Sequence, residues 1–172
     1  INVLAAGKDG VLWIGTSVQG IFSFNKNTGK FTRYPFLMND GTLKANNTLD
    51  DRTVICMYVD SDGILWIGTN LGGLNRFDTK INKFTSYLNR ENGFTCLVSI
   101  TEDSQKRIWA GTYLSGLFLF DRKTESFKRY SEKDGLLGNN SICITEDASG
   151  NIWTFNERGM SRINPANQTI TN

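Results

Sequence analysis

From Val54 to Tyr87 short apolar runs alternate with compact polar punctuation. Val54-Ile-Cys-Met-Tyr-Val59 is β-branched and apolar, the composition of a buried strand. Asp60-Ser-Asp-Gly63 reads as a turn, because aspartate carboxylates accept from nearby backbone N–H groups and glycine adopts positive φ without strain. Ile64 to Thr69 is predicted as a second strand, and Asn70-Leu-Gly-Gly73 turns the chain back into Leu74-Asn-Arg-Phe77, whose in–out alternation has a strand's period. Asp78 to Asn82 turns again, and Lys83-Phe-Thr-Ser-Tyr87 is a more polar fourth strand. The expected product is one twisted, four-stranded antiparallel sheet.

This unit recurs. Tryptophans stand at Trp13, Trp66, Trp109 and Trp153, at intervals of 53, 43 and 44 residues. Aligned on them, Gly15, Gly68 and Gly111 follow two residues later, with Phe155 the exception. Thr16, Thr69, Thr112 and Asn156 come next. Gly20, Gly73 and Gly116 fall seven residues after the tryptophan, Gly159 filling this role one residue early. Further on come Phe31, Phe84 and Phe127, then Tyr34, Tyr87 and Tyr130. Burying each indole removes roughly 150–250 Å² from water, an upper bound of roughly 4–6 kcal/mol at about 25 cal/mol per Å². The glycine two residues on shares the tryptophan's strand face, where a missing side chain permits close approach of a neighbouring sheet. The later glycine permits the return into the third strand. These glycines lie between strands and do not open a helix, so they form no phosphate cradle.

A lone sheet cannot cover both its faces, and radial stacking of sheets solves this in a β-propeller. The expected fold is therefore all-β, with four blades of about 44 residues, at 1–53, 54–96, 97–140 and 141–172, forming a single propeller segment over 1–172. An insertion, Pro35 to Arg52, follows the outer strand of the first blade. Four blades imply an arc of a larger propeller or a ring completed by self-association, for instance eight blades from two copies, since an open arc exposes an apolar face at each end. The chain opens with Ile1 and not Met, and is read as a segment of a longer protein.

Composition narrows the chemistry. Apolar residues make up 39% and only two prolines occur, which argues against disorder. A net charge of +2 is too weak to suggest nucleic acid as a partner. No apolar run approaches the roughly 18 residues of a membrane span. Histidine is absent, which removes His-based acid–base catalysis, Ser-His-Asp and Cys-His nucleophiles and His-ligated metals. The three cysteines lack CxxC spacing, so neither a zinc site nor a disulfide framework is expected, and no cofactor is implied. Cys56 and Cys143 are read as small buried hydrophobes in strands. Asp60, Asp103 and Asp147 occupy one repeated column and are read as turn caps, not as catalytic carboxylates.

The segment D-G-I-L-W-I-G-T-N-L-G-G-L-N-R-F-D at 62–78, with D-G-V-L-W-I-G-T at 9–16, resembles the two-component regulator propeller repeat. D-G-L-L-G-N-N-S-I-C-I-T-E-D at 134–147 is similar to that family's link between blades. The resemblance implies the periplasmic sensor region of a Bacteroides-type hybrid two-component system, in which long arrays of such blades respond to oligosaccharides. It implies no enzymatic activity for this segment: any histidine kinase would lie elsewhere in the parent protein, as would any membrane anchor.

Ligands of propellers meet the face made by the loops between second and third strands and by the blade-to-blade links. Here these are Ser17–Gln19, Asn70–Gly72, Tyr113–Ser115 and Asn156–Arg158, with links Pro35–Arg52, Leu88–Thr95 and Ser131–Asn140. Tyr113 is a candidate to stack on a sugar face, with Asn70, Asn156, Glu157 and Arg158 as candidate polar contacts. The competing reading makes Tyr113 a packing group on its neighbouring loop and Glu157-Arg158 solvated surface charge. Two further functions stand beside the sensor. One is a protein-interaction or oligomerisation platform with no small-molecule ligand. The other is a propeller-fold lyase of the streptogramin lyase type, which relies on a histidine this chain lacks.

Overall fold

The computed structural model describes residues 1–36, 47–87 and 96–172. The link Leu88–Thr95 and residues 37–46 of the Pro35–Arg52 insertion lie outside the described residues. The described chain is almost wholly β. Its strands are β1 (Val3–Ala6), β2 (Val11–Gly15), β3 (Ile21–Asn25), β4 (Lys30–Arg33), β5 (Val54–Val59), β6 (Leu65–Thr69), β7 (Leu74–Asp78) and β8 (Lys83–Tyr87). They continue as β9 (Leu97–Glu102), β10 (Ile108–Thr112), β11 (Leu117–Asp121), β12 (Ser126–Tyr130), β13 (Cys143–Glu146), β14 (Ile152–Asn156), β15 (Gly159–Asn164) and β16 (Thr169–Thr171). They form four four-stranded sheets, each an antiparallel meander in chain order. The expected strands at 54–59 and 83–87 have those bounds. The third runs one residue further, to Asp78, because Asp78 pairs with Lys83 across the turn and its Oδ1 accepts from the Lys80 N–H at 3.0 Å.

Two compact units divide the chain, Ile1–Leu97 and Val98–Asn172. Aromatic packing joins the sheets of the first. Trp13 on β2 meets Phe77 on β7 edge-on, with ring centroids 5.7 Å apart, and lies 5.4 Å from Tyr34. Phe77 stacks in turn on Phe84 at 4.2 Å. The close approach expected at the glycine column is present: a Cβ on Gly15 would stand 2.6 Å from both Val3 and Val54. In the second unit Trp109, Leu117, Tyr130, Leu136, Ile152 and Ile163 form one buried cluster, and a Cβ on Gly111 would run into the Ser141 carbonyl oxygen. The tyrosine column has a role the spacing did not reveal, since Tyr34, Tyr87 and Tyr130 each lie against the tryptophan of their own sheet.

One expectation fails. Cys143 is exposed, not buried. It pairs with Phe155, which pairs with the half-exposed Met160, and cross-strand partners share a sheet face. Alternation along β13 therefore turns Cys143 to the solvated side. Cys56 is partly covered, and burial pushes its thiol up out of the reactive range.

The aspartate column does more than cap turns. Asp60 Oδ1 accepts from the N–H groups of Asp62 and Ile64, at 3.0 and 2.9 Å, while its Oδ2 accepts from the Trp66 indole at 2.9 Å. Asp103 does the same for Gln105, Arg107 and Trp109, the indole bond being 2.7 Å. Asp147 repeats it for Ser149, Asn151 and Trp153, at 2.8 Å to the indole. One carboxylate thus fixes a turn with one oxygen and the buried tryptophan with the other. Trp66 and Trp109 are fully buried and Trp13 is nearly so, whereas Trp153 is partly open.

Removing a buried carboxylate that also holds the Arg107 side chain at 2.6 Å takes the acceptor from four donors, the Gln105 and Arg107 backbone N–H groups, Arg107 Nε and the Trp109 indole. Asp103→Ala is expected to cost about 3 kcal/mol in urea unfolding, and Asp147→Ala, beside the more open Trp153, distinctly less. The Trp153 indole, and after it Asn151, hold the Asp147 carboxyl well below its ordinary range. Its folded value lies beneath its unfolded one, so its stabilisation is complete above about pH 4 and is lost as acid titrates the folded form. The stability gap between wild type and Asp147→Asn should therefore be constant from about pH 7 to pH 5 and shrink as the pH falls from about 4 toward 2; a gap that stays constant down to about pH 2 would contradict this.

Candidate recognition loops

The end of each sheet opposite the aspartates is shaped by the threonine column. Thr16 Oγ1 donates to the Gly20 carbonyl at 2.9 Å and accepts from the Gln19 N–H at 2.9 Å. Thr69 does this with Gly73 and Gly72, and Thr112 with Gly116 and Ser115. Gly20, Gly73 and Gly116 have φ of 68°, 68° and 89°, the left-handed region that glycine enters without a Cβ penalty. Threonine and glycine together fix the ends of a loop whose middle residues carry no framework duty. In the fourth sheet Asn156 replaces the threonine. Its Oδ1 accepts from the Arg158 N–H at 2.8 Å, capping a loop one residue shorter.

In the first unit Asn70 is exposed at its loop, and its N–H donates to the Thr53 carbonyl at 3.0 Å. The buried Asp51 anchors the same loop, its Oδ2 accepting from the Leu71 N–H at 2.8 Å.

The second unit holds the other four candidates. Tyr113 is half exposed, and Leu114 beside it is 61% exposed with φ of 75°. Asn140 joins this loop to the next: its Oδ1 accepts from the Leu114 N–H at 2.8 Å and its Nδ2 donates to Glu157 Oε2 at 2.9 Å. Arg158 Nη1 pairs with Glu132 Oε1 at 2.9 Å, and Glu132 Oε2 accepts from Asn139 Nδ2 at 2.9 Å. The Gly116 N–H donates to the Asn139 carbonyl at 2.7 Å, closing the network. The Asn140 amide, and less strongly Arg158, lower the Glu157 carboxyl, which stays ionised at neutral pH.

The structure thus gathers Tyr113, Asn156, Glu157 and Arg158 on one loop surface; Glu157, Arg158 and the Asn156 Oδ1 are engaged with protein partners, while the Asn156 Nδ2 is buried with no hydrogen-bond partner among the described residues. Glu132, Asn139 and Asn140 were not singled out as site residues by sequence reasoning. The signal for them was their place in the link Ser131–Asn140, one of the segments expected on the ligand-facing side. Among the described residues no group of three His, Cys, Asp or Glu side chains is placed to hold a metal ion, and no helix is long and apolar enough to cross a membrane.

Short meanders, a tryptophan anchor and two-ended turn clasps define a protein built of propeller-type blades. Residues 48–71 match the two component regulator propeller family, and the chain carries a repeat of that family. No curated protein matches the chain by sequence. Among solved structures it is similar to the extracellular domain of BT3049 of B. thetaiotaomicron, described as a hybrid two component system. The TM-score is 0.76 at 25% identity, over 96% of this chain and 22% of that one. The extracellular domain of BT4673, from the same organism and described in the same terms, gives a TM-score of 0.76 at 26% identity, over 98% of this chain and 24% of that one. The chain thus spans under a quarter of the length of either neighbour. A virginiamycin B lyase from Staphylococcus aureus, crystallised with quinupristin as an inactive histidine-to-alanine variant, shares the fold. Its TM-score is 0.69 at 22% identity, over 98% of this chain and 53% of that one.

The Arg158–Glu132 pair has side chains 63% and 43% exposed, so water screens most of its attraction. Arg158→Ala should change unfolding stability by less than about 1 kcal/mol. A larger loss would mean that this loop is part of the framework and not a replaceable surface.

Proposed function

We propose that this chain is a noncatalytic sensor segment of the periplasmic region of a hybrid two-component regulator, and that its loop surface contributes to recognition of an oligosaccharide. The observation that carries the reading is the similarity, over nearly all of the chain, to extracellular domains of two systems of that kind, together with the family repeat at 48–71. The loops support it chemically. Tyr113 offers a half-exposed ring beside a rigid polar network, and aromatic faces with neighbouring amides and charges suit a sugar's alternating C–H and O–H surfaces. The network is held at its ends by threonine and glycine, so its central residues can vary without disturbing the sheets. A lyase reading has less support: the lyase neighbour was made inactive by replacing a histidine, and this chain contains none.

Calorimetric titration of the complete extracytoplasmic region against a panel of oligosaccharides tests this. A saturable heat with one glycan class is expected, and Tyr113→Ala should weaken that binding roughly two- to tenfold, the worth of one aromatic contact. Flat heats across the panel would sink the oligosaccharide reading. Unchanged affinity in the variant would remove Tyr113 from the site.

A further inference from the structure

The two faces of the first sheet are used differently. One carries Trp13 and Gly15 and lies against the second sheet, where Trp13 meets Phe77 and Tyr34 meets both Phe77 and Phe84. The other aligns Ala6, Leu12, Phe24 and Phe31 in one cross-strand row, beside Leu4 and Ile14 in the next. Phe24 and Phe31 follow Trp13 at the same offsets as Phe77 and Phe84 follow Trp66. The two rings pair alike, with centroids 4.6 Å apart in the first sheet and 4.2 Å in the second. Yet Phe77 and Phe84 are buried, whereas Phe31 is 63% exposed and Leu4 is 55% exposed. The first sheet thus presents the receiving half of a contact that the second sheet has filled.

The fourth sheet presents the other half. Its covered face holds Ile152 and Ile163, packed with Trp109. Its opposite face brings together Trp153, Phe155 and Met160, the first two partly open and the third 47% exposed. Trp153 is the counterpart of Trp13. Phe155 stands where Gly15 admits Val54, so a sheet received here is held further off at that corner. The first-sheet residue in the column of Val54 is Ile1, which precedes β1 and is 82% exposed, so its side chain can turn aside from Phe155.

We propose that these two faces bind each other between copies of this chain, the Trp153 face of one copy seating on the Phe24–Phe31 face of the next. The contact continues the interface between the first and second sheets, with Trp153 against Phe24 and Phe31 as Trp13 is against Phe77. Its two halves are different surfaces, so it is heterologous, and association proceeds beyond a dimer unless a ring closes. One sheet face is at the small end of specific interfaces, and the expected affinity is roughly micromolar. Arg33 lies over Phe22 on one face and Arg162 over Trp153 on the other. These like charges make the contact tighten, not weaken, as salt is added. The faces are distinct from the loop that carries Tyr113, and the inference does not depend on the glycan reading.

Sedimentation velocity of the 172-residue chain from about 5 to about 500 µM tests this. The weight-average coefficient should rise with concentration to at least that of a dimer, and further in added salt. Phe31→Lys and Met160→Lys, both at exposed positions, should each weaken association roughly tenfold or more, because each places a charge in an apolar contact. Leu4→Lys, on the receiving face, should behave as Phe31→Lys does. Phe31→Lys keeps the Trp153 face and Met160→Lys keeps the receiving face, so mixing the two should restore a one-to-one dimer that grows no further. A wild-type chain that stays monomeric throughout, or association that salt weakens, would overturn the proposal. So would loss of association in the variants of one face only, which marks a contact of that face with itself, or a mixture that associates no more than its components.

Discussion

An indole N–H carried into the interior of a sheet must meet an acceptor or forfeit the hydrogen bond it made with water, a loss of about 1–3 kcal/mol. Tryptophan is the largest apolar surface each repeat can bury, and it brings that obligation with it. The aspartate six residues earlier discharges it at Trp66, Trp109 and Trp153. Because the same carboxylate also organises the first turn, the turn cannot loosen without exposing the indole's debt, and the indole cannot tilt without undoing the turn. Local turn chemistry and core packing are thereby coupled through one side chain. This explains why the acidic residue, the glycine-bearing turn and the tryptophan recur at fixed offsets while the residues among them vary.

The other end of each sheet is held differently, and the difference matters for function. Thr16, Thr69 and Thr112 clasp their loops through neutral hydrogen bonds that involve only backbone partners, with a left-handed glycine closing the return. Nothing in that arrangement consumes the side chains at the loop's centre. A residue such as Tyr113 can therefore stay half exposed without cost to the sheet, and its neighbours can be Asn, Glu or Arg as recognition demands. The sheets are thus rigid at one end by charge and at the other by geometry, and only the second leaves room for variation. Asn140 then ties two adjacent loops into one surface, which turns separate variable positions into a single facing set.

The repeat made the architecture legible because it is written in period-2 alternation and in glycines whose omission of a side chain has one physical use. Gly15 and Gly111 stand where a neighbouring sheet leaves no room for a Cβ, as their spacing from the tryptophan suggested. The aspartate column was legible only in part: its turn-capping offset is local, but the bond to an indole six residues on depends on the pleat and twist of the folded sheet. The loop network was less legible still. Asn140 acts through partners 17 and 26 residues away, and no short pattern encodes such a distance. Cys143 misled for a related reason, since strand composition says which residues pair but not which face a neighbouring sheet will cover.

Departures from the repeat carry as much information as the repeat itself, because a column that framework physics enforces is abandoned only where the framework demand has changed. Asn156 in place of threonine accompanies a loop shorter by one residue, and an amide oxygen reaches the nearer N–H that a threonine hydroxyl serves in the longer loops. Phe155 in place of glycine fills the space that Val54 and the Ser141 carbonyl claim beside the corresponding glycines, so the fourth sheet cannot receive a neighbour there in the same close register. Gly7 in place of aspartate leaves the turn intact, since the Gly7 N–H still donates to the Val11 carbonyl at 2.8 Å, but withdraws the acceptor from the buried indole. The first substitution preserves a bond and the second closes a space. The first also leaves the Asn156 Nδ2 buried with no hydrogen-bond partner among the described residues, and the third leaves the Trp13 indole without the aspartate that its counterparts have. A Cβ at position 7 would stand 2.8 Å from Trp13 Nε1 and 3.2 Å from the Val11 carbonyl oxygen, so in the first sheet the indole itself lies in the space where a side chain at this column would begin, and glycine is what the closer packing requires.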